Sequence, residues 1–134
     1  MNSTSEGGWT PLNSVAINRH IDTVKLLLEK GANVDIASKN GVTPLKLAVS
    51  GENEAVVKLL LATDCVKPDL KDKIGRTPLL YAAKNGNKTT IELLIVTNWV
   101  DIDSKDYYDS TALSIAARIG HRDAITLLLI RSLI

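Results

Sequence analysis

The chain has 134 residues, enough for one domain, and its nearly balanced charges give a formal net charge of +1. This balance argues against a protein built mainly to bind nucleic acid or an anionic membrane. The single cysteine, Cys65, excludes an intramolecular disulfide and a cysteine-based zinc site. Since the first residues do not resemble a secretion signal and no apolar run approaches the roughly 20 residues of a membrane span, we expect an intracellular protein, cytoplasmic or nuclear.

A short phrase recurs along the chain at intervals of 33, 34 and 34 residues, and each copy predicts the start of a helix. Threonine at the cap position accepts backbone N–H groups, and proline in the first turn has no N–H to leave unpaired. The copies are Thr10-Pro11-Leu12, Thr43-Pro44-Leu45, Thr77-Pro78-Leu79 and the degraded Thr111-Ala112-Leu113. These phrases predict first helices over about 11–18, 44–51, 78–85 and 112–119.

An apolar triplet begins 16 residues after each threonine and predicts a second helix in every unit. The triplets are Leu26-Leu27-Leu28, Leu59-Leu60-Leu61, Leu93-Leu94-Ile95 and Leu127-Leu128-Leu129. The second helices are predicted over about 21–29, 54–62, 88–96 and 122–130, with Leu59 facing the interior. The connecting segments 32–41, 66–75 and 100–109 are predicted to form β-hairpins.

Pairs of small residues between phrase and triplet allow the two helices of a unit to approach closely. The pairs are Val15-Ala16, Ala48-Val49, Ala82-Ala83 and Ala116-Ala117, and Gly86 and Gly120 close the first helix in the last two units. With these features the chain resembles the ankyrin-repeat family over nearly its whole length, and more weakly the ankyrin arrays of filamentous-fungal multidomain proteins. The resemblance implies an all-α fold, an ankyrin-repeat solenoid of four helix-turn-helix units joined by β-hairpin loops.

We expect the whole chain, 1–134, to be a single ankyrin-repeat domain with repeats at about 5–37, 38–71, 72–105 and 106–134. One departure from the family pattern concerns the histidine that commonly follows Thr-Pro-Leu and ties the hairpins together. Its position is taken by Asn13, Lys46, Leu80 and Ser114. Because Asp109 also replaces a hairpin glycine, we expect these turns to be less rigid than in an idealised array.

No enzymatic constellation accompanies the repeats, since a Gly-rich phosphate loop, a nucleophile elbow and a metal-ligand motif are all missing. His20 and His121 fall in the turns between helices, where a structural or solvent-facing role outweighs catalysis. A lone Cys65 is more often a small packed hydrophobe than a nucleophile. We therefore expect no catalytic residues, no metal site and no cofactor.

The resemblance implies binding of another protein through the hairpin tips and the exposed face of the first helices. The matching positions are Trp9, Ile17, Asn18, Lys39, Asn40, Val42, Lys46, Ser50, Lys73, Ile74, Arg76, Lys84, Asn85, Tyr107, Tyr108, Ser110 and Arg118. Six of them are Lys or Arg and none is a carboxylate, which predicts a basic inner face for a partner with an acidic or mixed surface. Trp9, Tyr107 and Tyr108 are candidate anchors, whereas Trp99 and Tyr81 are expected to pack internally.

Two other interpretations stay open. The apolar finish, Ile130, Leu133 and Ile134, lacks a further hairpin and predicts either self-association or continuation of the array in a longer parent protein. The stack would then be structural or regulatory and pack against other domains of that parent. Nucleic-acid binding by the basic inner face is a further alternative, although no recognised nucleic-acid fold accompanies the cations.

Overall fold

The computed structural model describes residues 10–17, 20–63 and 66–132, and within these residues the chain forms eight α-helices. In chain order they are α1 (Pro11–Ile17), α2 (Ile21–Glu29), α3 (Pro44–Ser50), α4 (Glu54–Leu61), α5 (Pro78–Asn85), α6 (Lys88–Ile95), α7 (Ala112–Ile119) and α8 (Arg122–Ser132). The first helices contact one another in sequence from α1 to α7, and the second helices do so from α2 to α8. The molecule is thus a stack of helix pairs, as predicted.

The recurring threonines begin the first helices for the expected reason. The hydroxyl oxygens of Thr10, Thr43 and Thr111 each accept the backbone N–H three residues on, at 3.2, 3.2 and 3.1 Å. Thr77 occupies the same position before α5, but its buried hydroxyl has no hydrogen-bond partner among the described residues. The helix starts match the prediction, and the ends agree within one residue except in α8, which continues to Ser132.

The core lies between the two layers of helices, and its register differs by one residue from the prediction for Leu59. In α4 the buried side chains are Val56, Val57 and Leu60, whereas Leu59 is only partly buried. The same holds in α6, where the second leucine of the triplet, Leu94, is fully buried. Leu59 thus packs against the core, as predicted, but Leu60 and not Leu59 lies at the centre of the inward face, because an apolar triplet does not specify which member lies there.

Three tight turns stand where hairpins were predicted, and no β-strand is present in the part of the chain that the structure describes. Each turn is closed by a backbone hydrogen bond from the N–H of Ser38, Asp72 or Asp106 to the carbonyl four residues on, at 2.9 to 3.0 Å. The carbonyl of the same residue accepts a second bond from the N–H three residues on, at 3.0 to 3.1 Å. Two bonds confined to one turn are too few for a strand ladder. The turns therefore form as predicted, while their arms stay irregular.

Neighbouring turns lie against each other. The N–H of Lys73 donates to the carbonyl of Asn40 at 3.0 Å, and the N–H of Tyr107 donates to that of Ile74 at 3.0 Å. Gly41, with φ of 76°, permits this approach, because a Cβ there would lie 2.8 Å from Cα of Asp72. The turn tips consequently form one row along the stack.

Candidate partner-binding surface

The row of turn tips presents cations and aromatics to solvent. Lys39, Asn40 and Lys73 are exposed, and the side chains of Tyr107 and Tyr108 are 70% and 74% exposed. Large aromatic side chains at this level of exposure are the residue type from which interface hot spots are usually built. The structure therefore places five of the predicted contact residues together on accessible tips.

The predicted contact residues on the first helices fall into two groups. Ser50, Lys84 and Arg118 are exposed. Asn85 is partly buried, and its side-chain amide donates to the carbonyls of Val49 and Ser50 at 3.3 and 3.4 Å, so that it joins α5 to α3.

The remaining predicted positions divide between partly buried and undescribed residues. Val42, Ile74, Arg76 and Ser110 are partly buried in the turns. Trp9, Asn18 and the side chain of Ile17 lie outside the described residues, so their role as contact residues stays a prediction.

Lys46 is one of the predicted contact residues, yet only 3% of it is exposed. Its ammonium group contacts a carboxylate oxygen of Asp72 at 2.9 Å and donates to the carbonyl of Gly41 at 3.3 Å. Burial lowers the pKa of Lys46, and the bond to Asp72 opposes this effect only in part. Lys46 therefore bridges two adjacent turns and has almost no surface left for a partner.

Asp72 is the centre of this arrangement. Oδ1 accepts the backbone N–H groups of Ile74 and Arg76 at 3.0 and 2.9 Å, and Oδ2 accepts from Lys46 and from the hydroxyl of Tyr81. Burial alone would raise the pKa of Asp72, but the bonds from Tyr81, Lys46 and Arg76 outweigh it and hold that pKa below its ordinary value. Burial and the same carboxylate raise the pKa of Tyr81 to about 12.

Asp106 repeats the arrangement in the next turn. Its Oδ1 accepts the backbone N–H groups of Tyr108 and Ser110 at 2.8 and 2.9 Å, and its Oδ2 accepts from Nε of Arg76 at 3.2 Å. Burial would raise the pKa of Asp106, yet these hydrogen bonds and the charge of Arg76 lower it below its ordinary value. Two of the six predicted surface cations, Lys46 and Arg76, are thus paired within the protein.

Reasoning from the sequence missed the two aspartates, although one signal was present. Ser38, Asp72 and Asp106 recur at 34-residue intervals, and Ser38 Oγ likewise accepts two backbone N–H groups of its own turn, both at 3.3 Å. A short polar side chain three residues before the turn's left-handed residue is typical of such a turn. The bond from Lys46 to the following repeat was not predictable, since it depends on how the units stack.

The prediction for the two remaining aromatics is half confirmed. Tyr81 is partly buried, but Trp99 is 78% exposed, so the expectation that it packs internally was wrong. Asn98, three residues after the end of α6, adopts the left-handed conformation, with φ of 62°. The backbone N–H of Trp99 then donates to Oγ1 of Thr97 at 3.3 Å, which fixes this short loop.

His121 and Cys65 were both expected to be non-catalytic. His121 Nε2 lies 2.9 Å from the carbonyl oxygen of Lys84, so it links the last unit to the one before, while Cys65 lies outside the described residues. Across residues 10–17, 20–63 and 66–132, His, Cys, Asp and Glu form no group of three that could hold a metal ion. In the same ranges, every helix is too short or too polar to span a bilayer.

Three curated relatives show where similar sequences occur. A segment of 54 residues is 43% identical to transient receptor potential cation channel subfamily A member 1 of Homo sapiens, covering 40% of this chain and 5% of the channel. A segment of 60 residues is 42% identical to the NAD-capped RNA hydrolase of Homo sapiens, covering 45% and 13%. Another of 67 residues is 39% identical to the putative ankyrin repeat protein YahD of Escherichia coli, covering 46% and 33%.

These relatives are human and bacterial, so the weaker resemblance to fungal arrays stays a prediction. Each aligned segment spans a third or less of the relative it matches. The family model described as "Ankyrin repeats (3 copies)" matches residues 1–69 and again residues 63–133. Together with the stacked helix pairs and the tied turns, this match shows that the chain belongs to the ankyrin-repeat family.

Proposed function

We propose that the chain is a non-catalytic protein-binding module whose partner contacts the turn tips and the exposed face of the first helices. Ankyrin repeats generally mediate protein–protein interaction. The observation that carries the proposal is the pair of exposed tyrosines, Tyr107 and Tyr108, on a turn whose base is held by the buried Asp106. A surface held in place before binding loses little conformational entropy when the partner arrives.

The relatives favour a protein-binding role for the repeats over a catalytic activity that all of them share. By their names, one is a cation channel and another is a hydrolase of NAD-capped RNA, and these activities have no reaction in common. A repeat segment common to both is better explained by an interaction role than by catalysis. This reasoning supports a module without catalytic residues or a cofactor of its own.

The partner's chemistry follows from the cations that stay exposed. Lys39, Lys73, Lys84 and Arg118 are accessible, and the structure shows no ion pair for them within the described ranges. We infer a protein partner with an acidic or mixed surface. Nucleic-acid binding is less favoured, because the pairing of Lys46 and Arg76 removes two of the six predicted phosphate contacts.

Reversing three of these charges tests the proposal. The triple variant Lys39→Glu, Lys73→Glu, Lys84→Glu is expected to weaken binding by about tenfold or more, most strongly at low salt, because each exposed pair contributes up to about 1 kcal/mol. Binding is measured by titration calorimetry against the partner isolated by affinity capture on the wild-type chain. Circular dichroism checks that the fold is intact.

The control reverses the same amount of charge on the second helices, with Lys25→Glu, Lys58→Glu and Lys88→Glu. All three lysines are exposed and lie on α2, α4 and α6. We expect this variant to bind within about twofold of wild type, because its changes lie on the other layer of helices. If both triple variants weakened binding equally, the effect would reflect overall charge only, and the turn tips and first helices would no longer be assigned as the binding surface.

A second candidate role is supported by the outer face of the last helix pair. Ile95 is 5% exposed in α6, whereas its counterpart Leu129 is 47% exposed in α8 and Ile130 is 52% exposed. We propose that another protein surface, either a second copy or a domain of the same parent, covers these side chains; Leu133 and Ile134 lie outside the described residues. Light scattering over a concentration series tests self-association, and a constant monomer mass unaffected by Leu129→Lys would exclude it.

A further inference from the structure

A second surface surrounds Trp99, at the loops that follow α4 and α6. Two adjacent hollows of about 410 and 250 Å³ share Val66, Pro68 and Trp99 among their lining residues. Trp99, which lines both hollows, is 78% exposed and follows the left-handed Asn98. An exposed indole beside proline and valine offers an aromatic face and an apolar floor.

The smaller hollow also contains a carboxylate whose hydrogen bonding is incomplete. Asp69 lines it together with Trp99, and Oδ2 of Asp69 accepts the backbone N–H of Asp101 at 3.1 Å. Its Oδ1 is buried and, within the described part of the chain, has no hydrogen-bond partner. A buried carboxylate oxygen without a donor is unfavourable. Because Asp69 as a whole is only partly buried, a cation at the mouth of the hollow would stabilise its negative charge without having to reach Oδ1 itself.

The neighbouring lysines form no direct ion pair with Asp69 in the described residues. The ammonium of Lys71 donates to the carbonyl oxygen of Lys105 at 3.2 Å, and Lys67, exposed at the rim of the hollow, makes no ion pair with Asp69 in the described residues. Burial and the nearby carboxylate of Asp101 raise the pKa of Asp69, and the backbone N–H of Asp101 and the charge of Lys71 lower it only in part. Within the described residues, Asp69 therefore has no direct ion pair, although it lies beside an aromatic face.

We propose that the hollow bounded by Pro68, Asp69 and Trp99 receives an arginine side chain of a protein partner. The guanidinium stacks on the indole and brings its charge to Asp69, while the methylene stem covers Pro68 and Val66. Arginine fits better than lysine, because the planar guanidinium stacks on aromatic faces and is more weakly hydrated than an ammonium. The inference rests on the protein-binding role proposed above, but it concerns a surface separate from the turn tips.

The test uses the full chain and two blocked peptides, acetyl-Gly-Arg-Gly amide and its citrulline counterpart, which keeps the shape and lacks the charge. The indole N–H resonance of Trp99 is followed by NMR during each titration. We expect a saturable shift with the arginine peptide and an affinity about 3- to 30-fold lower for the citrulline peptide. Asp69→Asn, a change of similar shape, should abolish the preference for arginine.

Two controls make the outcome decisive. Asp103→Asn neutralises an exposed carboxylate on the same loop and should keep the preference, whereas Trp99→Leu, followed through the amide of Asp101, should lose it. Equal binding of both peptides to wild type, or an unchanged preference in Asp69→Asn, would overturn the proposal. The tip variant Lys39→Glu, Lys73→Glu, Lys84→Glu should leave this titration unchanged, so a failure of the tip assignment is distinguishable from a failure here.

Discussion

Replacing Leu60 with alanine is expected to lower the free energy of unfolding by about 2–5 kcal/mol, the usual range for removing a fully buried leucine side chain. Leu60 is 0% exposed and lies on the inward face of α4 with Val56 and Val57. Helix α4 packs against both α2 and α6, so neighbours on either side lose contacts and neither can move in without disturbing its own unit. Urea denaturation followed by circular dichroism measures the loss.

Two neighbours in the same helix provide matched controls. Leu59→Ala removes the same atoms from a partly buried position and should cost clearly less, while Lys58→Ala changes an exposed residue and should stay within about 0.5 kcal/mol. If Leu59→Ala destabilised the chain more than Leu60→Ala, the assignment of Leu60 to the inward face of α4 would be wrong. The ranking of the three variants therefore tests the core at single-residue resolution.

Replacing Asp72 with serine is expected to lower the free energy of unfolding by about 3–5 kcal/mol, because the ammonium of Lys46 would stay buried without its counter-charge. Serine is a well-matched replacement, since Ser38 occupies the corresponding position in the preceding turn and its hydroxyl accepts the same two backbone N–H groups. The substitution thus keeps the turn and removes only the contacts to Lys46 and Tyr81. Urea denaturation against Asp103→Ser, an exposed aspartate, provides the baseline.

A double variant separates the contribution of the ion pair to stability from that of the turn. Lys46→Leu places at position 46 the residue that the next repeat carries there, Leu80, which is fully buried. Lys46→Leu together with Asp72→Ser should destabilise the chain much less than the sum of the single changes, because neither charge is left unpaired. Strict additivity of the two single effects would contradict the proposed coupling between adjacent turns.

The same aspartate gives the stability a defined pH dependence. The pKa of Asp72 lies below its ordinary value in the folded protein, so its contribution is fully present above the ordinary carboxyl pKa of about 4. The contribution is lost as the pH falls through the lowered folded-state pKa, since protonation then favours the unfolded chain. Asp72→Ser should therefore show a shallower loss of stability in this acid range than wild type does.

Helix positions and repeat register could be predicted from the sequence alone. The phrase around Thr43 contains a cap, a proline in the first turn and a leucine, and these act within a few residues of chain. The left-handed caps Gly86 and Gly120, and the left-handed Asp109, were likewise predictable, because the conformation is imposed by local backbone geometry. Because the same local signals occur in four copies, the repeat fold could be predicted without any knowledge of tertiary contacts.

The residues that the sequence could not assign are those whose state depends on a neighbouring repeat. Lys46 matches a surface position of the family pattern, but it is buried because Asp72 of the next turn lies 2.9 Å from its ammonium. Trp99 looks like a core residue by its chemistry, yet it is 78% exposed and lines a hollow together with Asp69. Burial and charge pairing depend on distances between units, which only the stacked structure determines, whereas caps and helices depend on bonds within one unit.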